Sequence, residues 1–277
     1  MSLDGALGPE AAEAVASLCL RGLGPACPEP RDLAAGLFGT AEPVVVRGDP
    51  AVGVVATARR RGAGYIRLLV VDPDRRRQGV GHQLITLAEA DLDGCGTITA
   101  GADAPDYLFP GVDPSLTPML CLLEARGYRH TGANLNMDVD LDALGGRPPE
   151  GAVRLAGPPE RAEVEAFMAQ HWPNWADEAL RGLDRQRLLL AHDDEGIAGF
   201  CAWDVNRAGW LGPIGVRPGL YGRGTGVPLL MEALHRMRDE GRHRAEVAWI
   251  SPIRFYVRNA GARMGTVYLV FEKRRAR

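Results

Sequence analysis

One motif, written twice, constrains this chain more than any other feature. Leu68–Ala90 reads LLVVDPDRRRQGVGHQLITLAEA, and Gly212–Met237 reads GPIGVRPGLYGRGTGVPLLMEALHRM. Each copy runs from an apolar strand through a proline and a basic stretch into a Gly-x-Gly turn, and an amphipathic helix follows at once. Gly79 and Gly224 lie 145 residues apart in a chain of 277. A strand feeding a glycine-opened helix presents unpaired N–H groups and the positive end of the helix dipole, which suits an anion such as a diphosphate.

The length suits two domains, each able to bury its own core. GGRPPEG at 145–151 combines Gly, Pro and charge near the midpoint and reads as a linker, giving domains at 1–144 and 152–277. In the first half, helices are expected at 9–21 and 31–38 and strands at 43–47, 52–59 and 64–71. After the glycine turn and its helix come a strand at 96–101, a helix at 115–126 and a strand at 133–141. The second half repeats the order: a strand at 152–156, helices at 158–171 and 174–184, and strands at 186–192, 197–205 and 209–216. The second turn and its helix follow, then a strand at 244–250, a helix at 252–260 and a strand at 263–272. Two tandem α/β units of α+β type result, each a mixed, mostly antiparallel sheet flanked by helices.

A net charge of −3, with Lys273 the only lysine, argues against bulk nucleic-acid binding. Cys19, Cys27, Cys95, Cys121 and Cys201 are scattered without metal-ligand spacing, so reduced thiols and no metal are expected. No secretory leader and no membrane-length apolar run is read, which points to a cytoplasmic protein. The closing Lys273–Arg277 run reads as a solvated basic tail.

In the turns, Gly79 and Gly81 let the backbone bend sharply and approach a ligand, with Arg75, Arg76 and Arg77 adding charge. Tyr221-Gly222-Arg223-Gly224-Thr225-Gly226 offers three glycines and Arg223, and Pro228 fits the first turn of a helix, where its missing N–H costs nothing. A dinucleotide-binding fold is the rival, but it expects G-x-G-x-x-G after the first strand of a parallel sheet. Here the turn follows the fourth strand of its unit, and no third glycine follows Gly81.

These residues resemble the GNAT superfamily of acyl-CoA-dependent N-acyltransferases, whose cofactor motif is [Q/R]-x-x-G-x-[G/A]. Arg76-Arg77-Gln78-Gly79-Val80-Gly81 matches it fully. In the second copy the glycines match and Tyr221 replaces the leading Gln or Arg. The resemblance implies that acetyl-CoA binds with its diphosphate on these turns, and that the strand ends Val70–Val71 and Gly215–Val216 pair with the pantetheine arm. A strand N–H there would polarise the thioester carbonyl. The family's F-Y-x-x-x-G pattern resembles Phe255-Tyr256-Val257-Arg258-Asn259-Ala260-Gly261 with one extra residue, which implies that Tyr256 protonates the departing thiolate. Leu123 stands in that place in the first half, so the second half is expected to carry the chemistry.

Carboxylates near strand ends, Asp204 and Glu246 in the second half and Asp103, Asp106 and Asp113 in the first, are the candidate bases for the amine. The aromatic, proline-rich stretch 103–115 suits a pocket-lining loop or a cover over the sheet edge; the resemblance implies that His171-Trp172-Pro173-Asn174-Trp175 borders the acceptor, with helix–helix packing the alternative. The expected function is acetyl transfer from acetyl-CoA to a small-molecule amine by direct attack in a ternary complex. The alternative is a non-catalytic acyl-CoA sensor or scaffold. The acceptor's identity and the oligomeric state stay open.

Overall fold

In a computed structural model, which describes residues 3–275, the β-branched runs of each half form strands and the periodic runs form helices. The chain carries α1 (Ala12–Leu23), α2 (Pro30–Phe38), β1 (Val44–Asp49), β2 (Gly53–Arg60), β3 (Ala63–Val71), α3 (Val80–Asp91), β4 (Thr97–Ala100), α4 (Thr117–Ala125) and β5 (Arg129–Asp140). It continues with β6 (Arg154–Leu155), α5 (Arg161–His171), α6 (Ala176–Asp184), β7 (Leu188–Asp193), β8 (Gly196–Trp203) and β9 (Trp210–Val216). Last come α7 (Gly226–Asp239), β10 (Arg244–Ile250), α8 (Ile253–Ala260) and β11 (Arg263–Arg274). No helix among the described residues is long and apolar enough to cross a membrane.

Contacts divide the chain into two compact units, but not at the linker. The first is Met1–Asn134 together with Val267–Arg277, and the second is Leu135–Thr266. The expected boundary at 144/152 is therefore corrected: β5 and β11 each cross from one unit to the other along their length. Segment 145–151 stays within the second unit, where Arg147 bonds Glu232 and Asp239 of α7, each at 2.8 Å. The reading of Lys273–Arg277 as a free tail is corrected in the same way. Lys273 and Arg274 belong to β11, Lys273 Nζ lies 2.9 Å from Glu89, and Arg275 lies 3.2 Å from Asp93. Ala276 and Arg277 fall outside the described residues.

In the first unit the strands run β1-β2-β3-β4 and then the end of β11. Alternation along each strand sorts side chains to two faces. Val54, Ala56, Leu68 and Val70 pack against Val15, Leu18, Leu33 and Leu37 of α1 and α2, while Val55 and Leu69 pack with Leu84, Ile85, Ala88 and Leu123 of α3 and α4. The second unit, ordered β5-β10-β9-β8-β7-β6, repeats the plan. Phe200 and Ala202 face Val164, Met168 and Leu183 of α5 and α6, whereas Cys201 faces Leu229, Leu230, Leu234 and Tyr256 of α7 and α8.

One expectation about the first turn changes. The strand before the second turn, β9, is the fourth of its unit, but the strand before the first turn, β3, is the third, because a single bridge, Ala6↔Arg47, stands where β6 stands in the second unit.

Candidate functional site: two glycine turns and two open strand edges

Both turns follow a strand that loses a neighbour just before it ends. Parallel pairing of β3 with β4 runs from Ala63↔Thr97 to Ile66↔Ala100 and stops. Pairing of β9 with β10 covers only Glu246↔Trp210 and Val247↔Leu211. At that point each strand carries a bulge on its other side, at Arg67 between the Ala56↔Leu68 and Thr57↔Ile66 pairs, and between Cys201↔Ile214 and Trp203↔Leu211. A bulge adds twist and re-aims the residues after it. The freed edges are therefore Arg67–Val71 and Gly212–Val216, and each leads straight into its turn.

Strand alternation decides which N–H groups are free on these edges. Asp72 N donates to Val52 O and Arg217 N donates to Ala198 O, at 2.9 and 2.8 Å. The N–H groups of Val70 and Gly215 thus face β2 and β8, and those of Val71 and Val216 face the open side. Of the four predicted strand-end residues, two can donate to a ligand and two cannot.

In the first turn Gly79 has φ +83° and nothing within 4 Å of where a Cβ would sit. Gln83 N is bonded back to Gly79 O at 3.1 Å, so the N–H groups of Val80, Gly81 and His82 precede the first closed helical ring. Arg77 sits in the left-handed region at φ 61° without being glycine, a local strain of the kind found at ligand-binding turns. Arg76 and Gln78, expected to face the ligand, are engaged by backbone carbonyls: Arg76 Nη2 donates to Gly22 O at 2.7 Å, and the exposed Gln78 donates through Nε2 to Asp74 O at 3.0 Å. They brace the turn, while Arg75 and Arg77 are exposed. Asp72 adds a second brace, accepting from Arg21 Nε at 2.9 Å and Asp74 N at 3.0 Å; these bonds, the Arg21 one foremost, hold its carboxyl below the ordinary value.

In the second turn Gly222 and Gly224 have φ +78° and +93°, again facing open space. Tyr221 and Arg223 are exposed. Gly81 and Gly226 do something else: a Cβ would lie 2.9 Å from Leu122 on α4 in one unit and 3.3 Å from Phe255 on α8 in the other. These two glycines admit the later helix.

That contact pairs the two later helices residue by residue, Leu122 with Phe255 and Leu123 with Tyr256. The burial agrees, Leu123 being 0% exposed and Tyr256 4%. Counting from the closing glycines would instead match Leu123 with Val257, which is 48% exposed; the extra residue turns Tyr256 inward. Burial, and after it the Cys201 thiol, pushes the Tyr256 hydroxyl well above its ordinary value, so it stays protonated at neutral pH.

The carboxylates are sorted by their partners. Asp103, fully buried, accepts from Arg67 Nε at 2.7 Å and from its Nη2, and pairs with Arg60, which also holds Asp106 and Glu42. Arg67 Nη1 completes the cluster with Gly36 O at 2.6 Å. Asp103 and Asp106 are thereby corrected from candidate bases to members of a buried ion-pair network. Asp204 is corrected too: it accepts from Gly209 N at 2.6 Å and pairs with Arg242 at 2.9 Å. Asp113 caps Ser115 N at 2.8 Å and, with Phe109, Gly111, Val112, Leu116 and Met119, lines a cleft along β3 of about 20 Å³, room for about one water.

Glu246 is different. Its two oxygens accept from Asn136 Nδ2 at 2.7 Å and from Trp210 Nε1 at 2.9 Å, and it sits where β9 and β10 part. Asn136, fully buried, also accepts from Trp249 N at 2.8 Å and so fixes the irregular end of β10. Sequence reading missed Asn136 and Arg67. A lone Asn in a strand has no pattern, although an arginine inside the apolar run YIRLLVV was a signal.

On the other face of β9, Trp172 and Trp175 stack with centroids 4.7 Å apart and planes 7° apart, and both meet Phe200 edge-on. A Cβ on Gly215 would lie 2.7 Å from Phe200 and 3.0 Å from Trp172 Cε2, so glycine is what lets the indole reach the strand.

With this geometry in place, the chain can be set beside known proteins. Residues 39–105 match the family model described as an acetyltransferase (GNAT) domain. Among solved structures it is similar to the glucosamine N-acetyltransferase region of a fungal multi-domain β-N-acetylglucosaminidase, at 20% identity and TM-score 0.76, covering 97% of this chain and 38% of that one. It is similar to a GCN5-related N-acetyltransferase from Sphaerobacter thermophilus, at 25% identity and TM-score 0.68, covering 97% and 94%. A tandem GNAT protein from the clavulanic acid biosynthesis pathway is similar at 17% identity and TM-score 0.71, covering 97% of each chain. No curated protein matches. Residues 39–105 thus match a GNAT domain, and over its whole length the chain is similar in fold to tandem GNAT proteins.

Proposed function

We propose that this chain is an acyl-CoA-dependent N-acyltransferase that moves an acetyl group from acetyl-CoA to a small-molecule amine, with the second unit carrying the reaction. The observation that carries this reading is the freed edge Gly212–Val216 running into an open, left-handed glycine turn. An extended arm fits the edge and a diphosphate fits the turn.

In this reading Gly222, Gly224, Thr225 and Gly226 cradle the diphosphate, with Tyr221 and Arg223 beside it. Val216 N–H donates to the thioester carbonyl and stabilises the oxyanion as the amine attacks. The C–N bond forms, the C–S bond breaks, and Tyr256 gives its proton to the leaving sulfur. Glu246, braced by Asn136 and Trp210, receives the amine proton directly or through water. The fungal neighbour, a glucosamine N-acetyltransferase region, supports an amine acceptor.

The first unit keeps the turn through Gly79, Val80 and Gly81 and the donor Val71, but has Leu123 in place of the phenol. Its edge is lined by residues 101–116, where the second unit has only Ser251 and Pro252. Its role here is a second, non-catalytic coenzyme A site. Titration calorimetry with acetyl-CoA and an amine panel tests the whole reading: two sites and turnover are expected. Binding without turnover on any amine would instead establish the sensor, and no binding would end both.

A further inference from the structure

Trp172 carries a donor that the protein leaves unused. Its Nε1 is buried and has no hydrogen-bond partner among the described residues, and a buried donor without a partner is costly to keep. Its position is specific. The adjoining ring atom, Cε2, lies 3.0 Å from where a Gly215 Cβ would be, so the indole is held against the face of β9 within its freed stretch. The ring cannot swing away cheaply, since Trp175 covers one face and Phe200 closes its edge.

The faces of β9 say what can meet this donor. Val216 points toward the turn, its Cγ2 lying 3.5 Å from where a Gly226 Cβ would be, while Gly215 points toward Trp172. A cosubstrate held by the turn comes from the first side, which leaves the side of Trp172 to the molecule that attacks the carbonyl. An attacking nitrogen cannot accept from the indole and still offer its lone pair to carbon. The partner is therefore another atom of the same molecule.

We propose that Trp172 Nε1 selects the acceptor by donating to one of its oxygens, so that the substrate is an amine bearing a hydroxyl or carboxylate close to its nitrogen, not a plain alkylamine or polyamine. The proposal rests on the acyl-transfer reading of the second unit. The full-length protein is assayed with matched pairs, 2-aminocyclohexanol against cyclohexylamine and L-alanine against ethylamine, for binding by calorimetry and for turnover with acetyl-CoA. Wild type is expected to favour an oxygen-bearing member about tenfold. Trp172→Phe, which keeps an aromatic ring and removes the donor, is expected to erase that preference through KM for the amine, with acetyl-CoA affinity unchanged. Trp175→Phe, which leaves the donor in place, keeps the preference and guards against a general packing effect. Equal binding within every pair, a preference that survives in Trp172→Phe, or no amine binding at all overturns the proposal. Loss of acetyl-CoA binding in wild type would overturn the acyl-transfer reading instead, and the amine-binding arm still decides the role of Trp172.

Discussion

The two units place a glycine on opposite sides of the same contact. In the first, Val70 on β3 meets Gly22 of α1, whose Cβ would overlap the valine; in the second, Gly215 on β9 meets Trp172 just after α5. Either arrangement brings the early helices close to the freed edge. The first spends the space on an aliphatic wall and the second on an indole with an idle N–H. Next to that contact stands Arg67, bonded to Asp103 in the first unit, against Gly212 in the second. One freed edge is flanked by a buried ion-pair network and a long loop, and the other by only two residues. Duplicated folds diverge here through what lies beside the strand, with the strand itself unchanged.

The largest effect expected from breaking this comparison is on stability. Asp103→Ala strands the buried Arg67 guanidinium and should cost about 3–5 kcal/mol, read by chemical denaturation, while turnover of the remaining folded protein persists. Lost turnover with intact folding would instead move the chemistry to the first unit. Next comes Gly224→Glu, which puts a side chain at positive φ and a negative charge into the anion cradle. Coenzyme A affinity at that site should fall on the order of 100-fold and turnover with it. Gly79→Glu should remove one calorimetric site and spare turnover; if neither substitution weakens binding, the cradles are misplaced.

Tyr256→Phe should lower kcat about 100-fold with acetyl-CoA affinity unchanged. The alkaline limb of the pH profile offers a second check. Because burial raises the hydroxyl above its ordinary 10.0, the proton is present throughout the neutral range, and no rate loss from this group should appear below pH 10. The same shift adds stability that is full below pH 10 and declines as pH rises through the folded value, a decline Tyr256→Phe should lessen. Smallest is Gly215→Ala, whose Cβ presses on Phe200 and Trp172 and should cost about 1–3 kcal/mol by overpacking; a neutral outcome in thermal melts would mean the indole is not pinned.

Much of this was legible in the sequence because it rests on local rules. Period and turn chemistry placed every strand and helix in order, and the spacing of Gly79 and Gly224 announced the duplication. What escaped depends on contacts between residues distant in sequence. Arg76 looks like an anion ligand until the carbonyl of Gly22, 54 residues earlier, takes it. Asp103 looks like a base until Arg67, 36 residues earlier, reaches it. Asn136 gains meaning only beside Glu246, 110 residues later. The domain boundary failed for the same reason, since Gly-Pro composition marks a bend in the chain and says nothing about which strand joins which sheet.

The placement of residues 267–275 in the first unit bears on how the molecule comes into being. A ribosome adds them after every residue of the second unit, so the first-made half waits longest for its last strand. Until then β4 lacks the neighbour it gains at Phe271–Arg274, and Glu89 lacks Lys273. The second unit can be complete while the first is still an unfinished sheet with an exposed edge. A nascent chain stalled before Val267 would hold every residue of the second unit while the first still lacked its last strand.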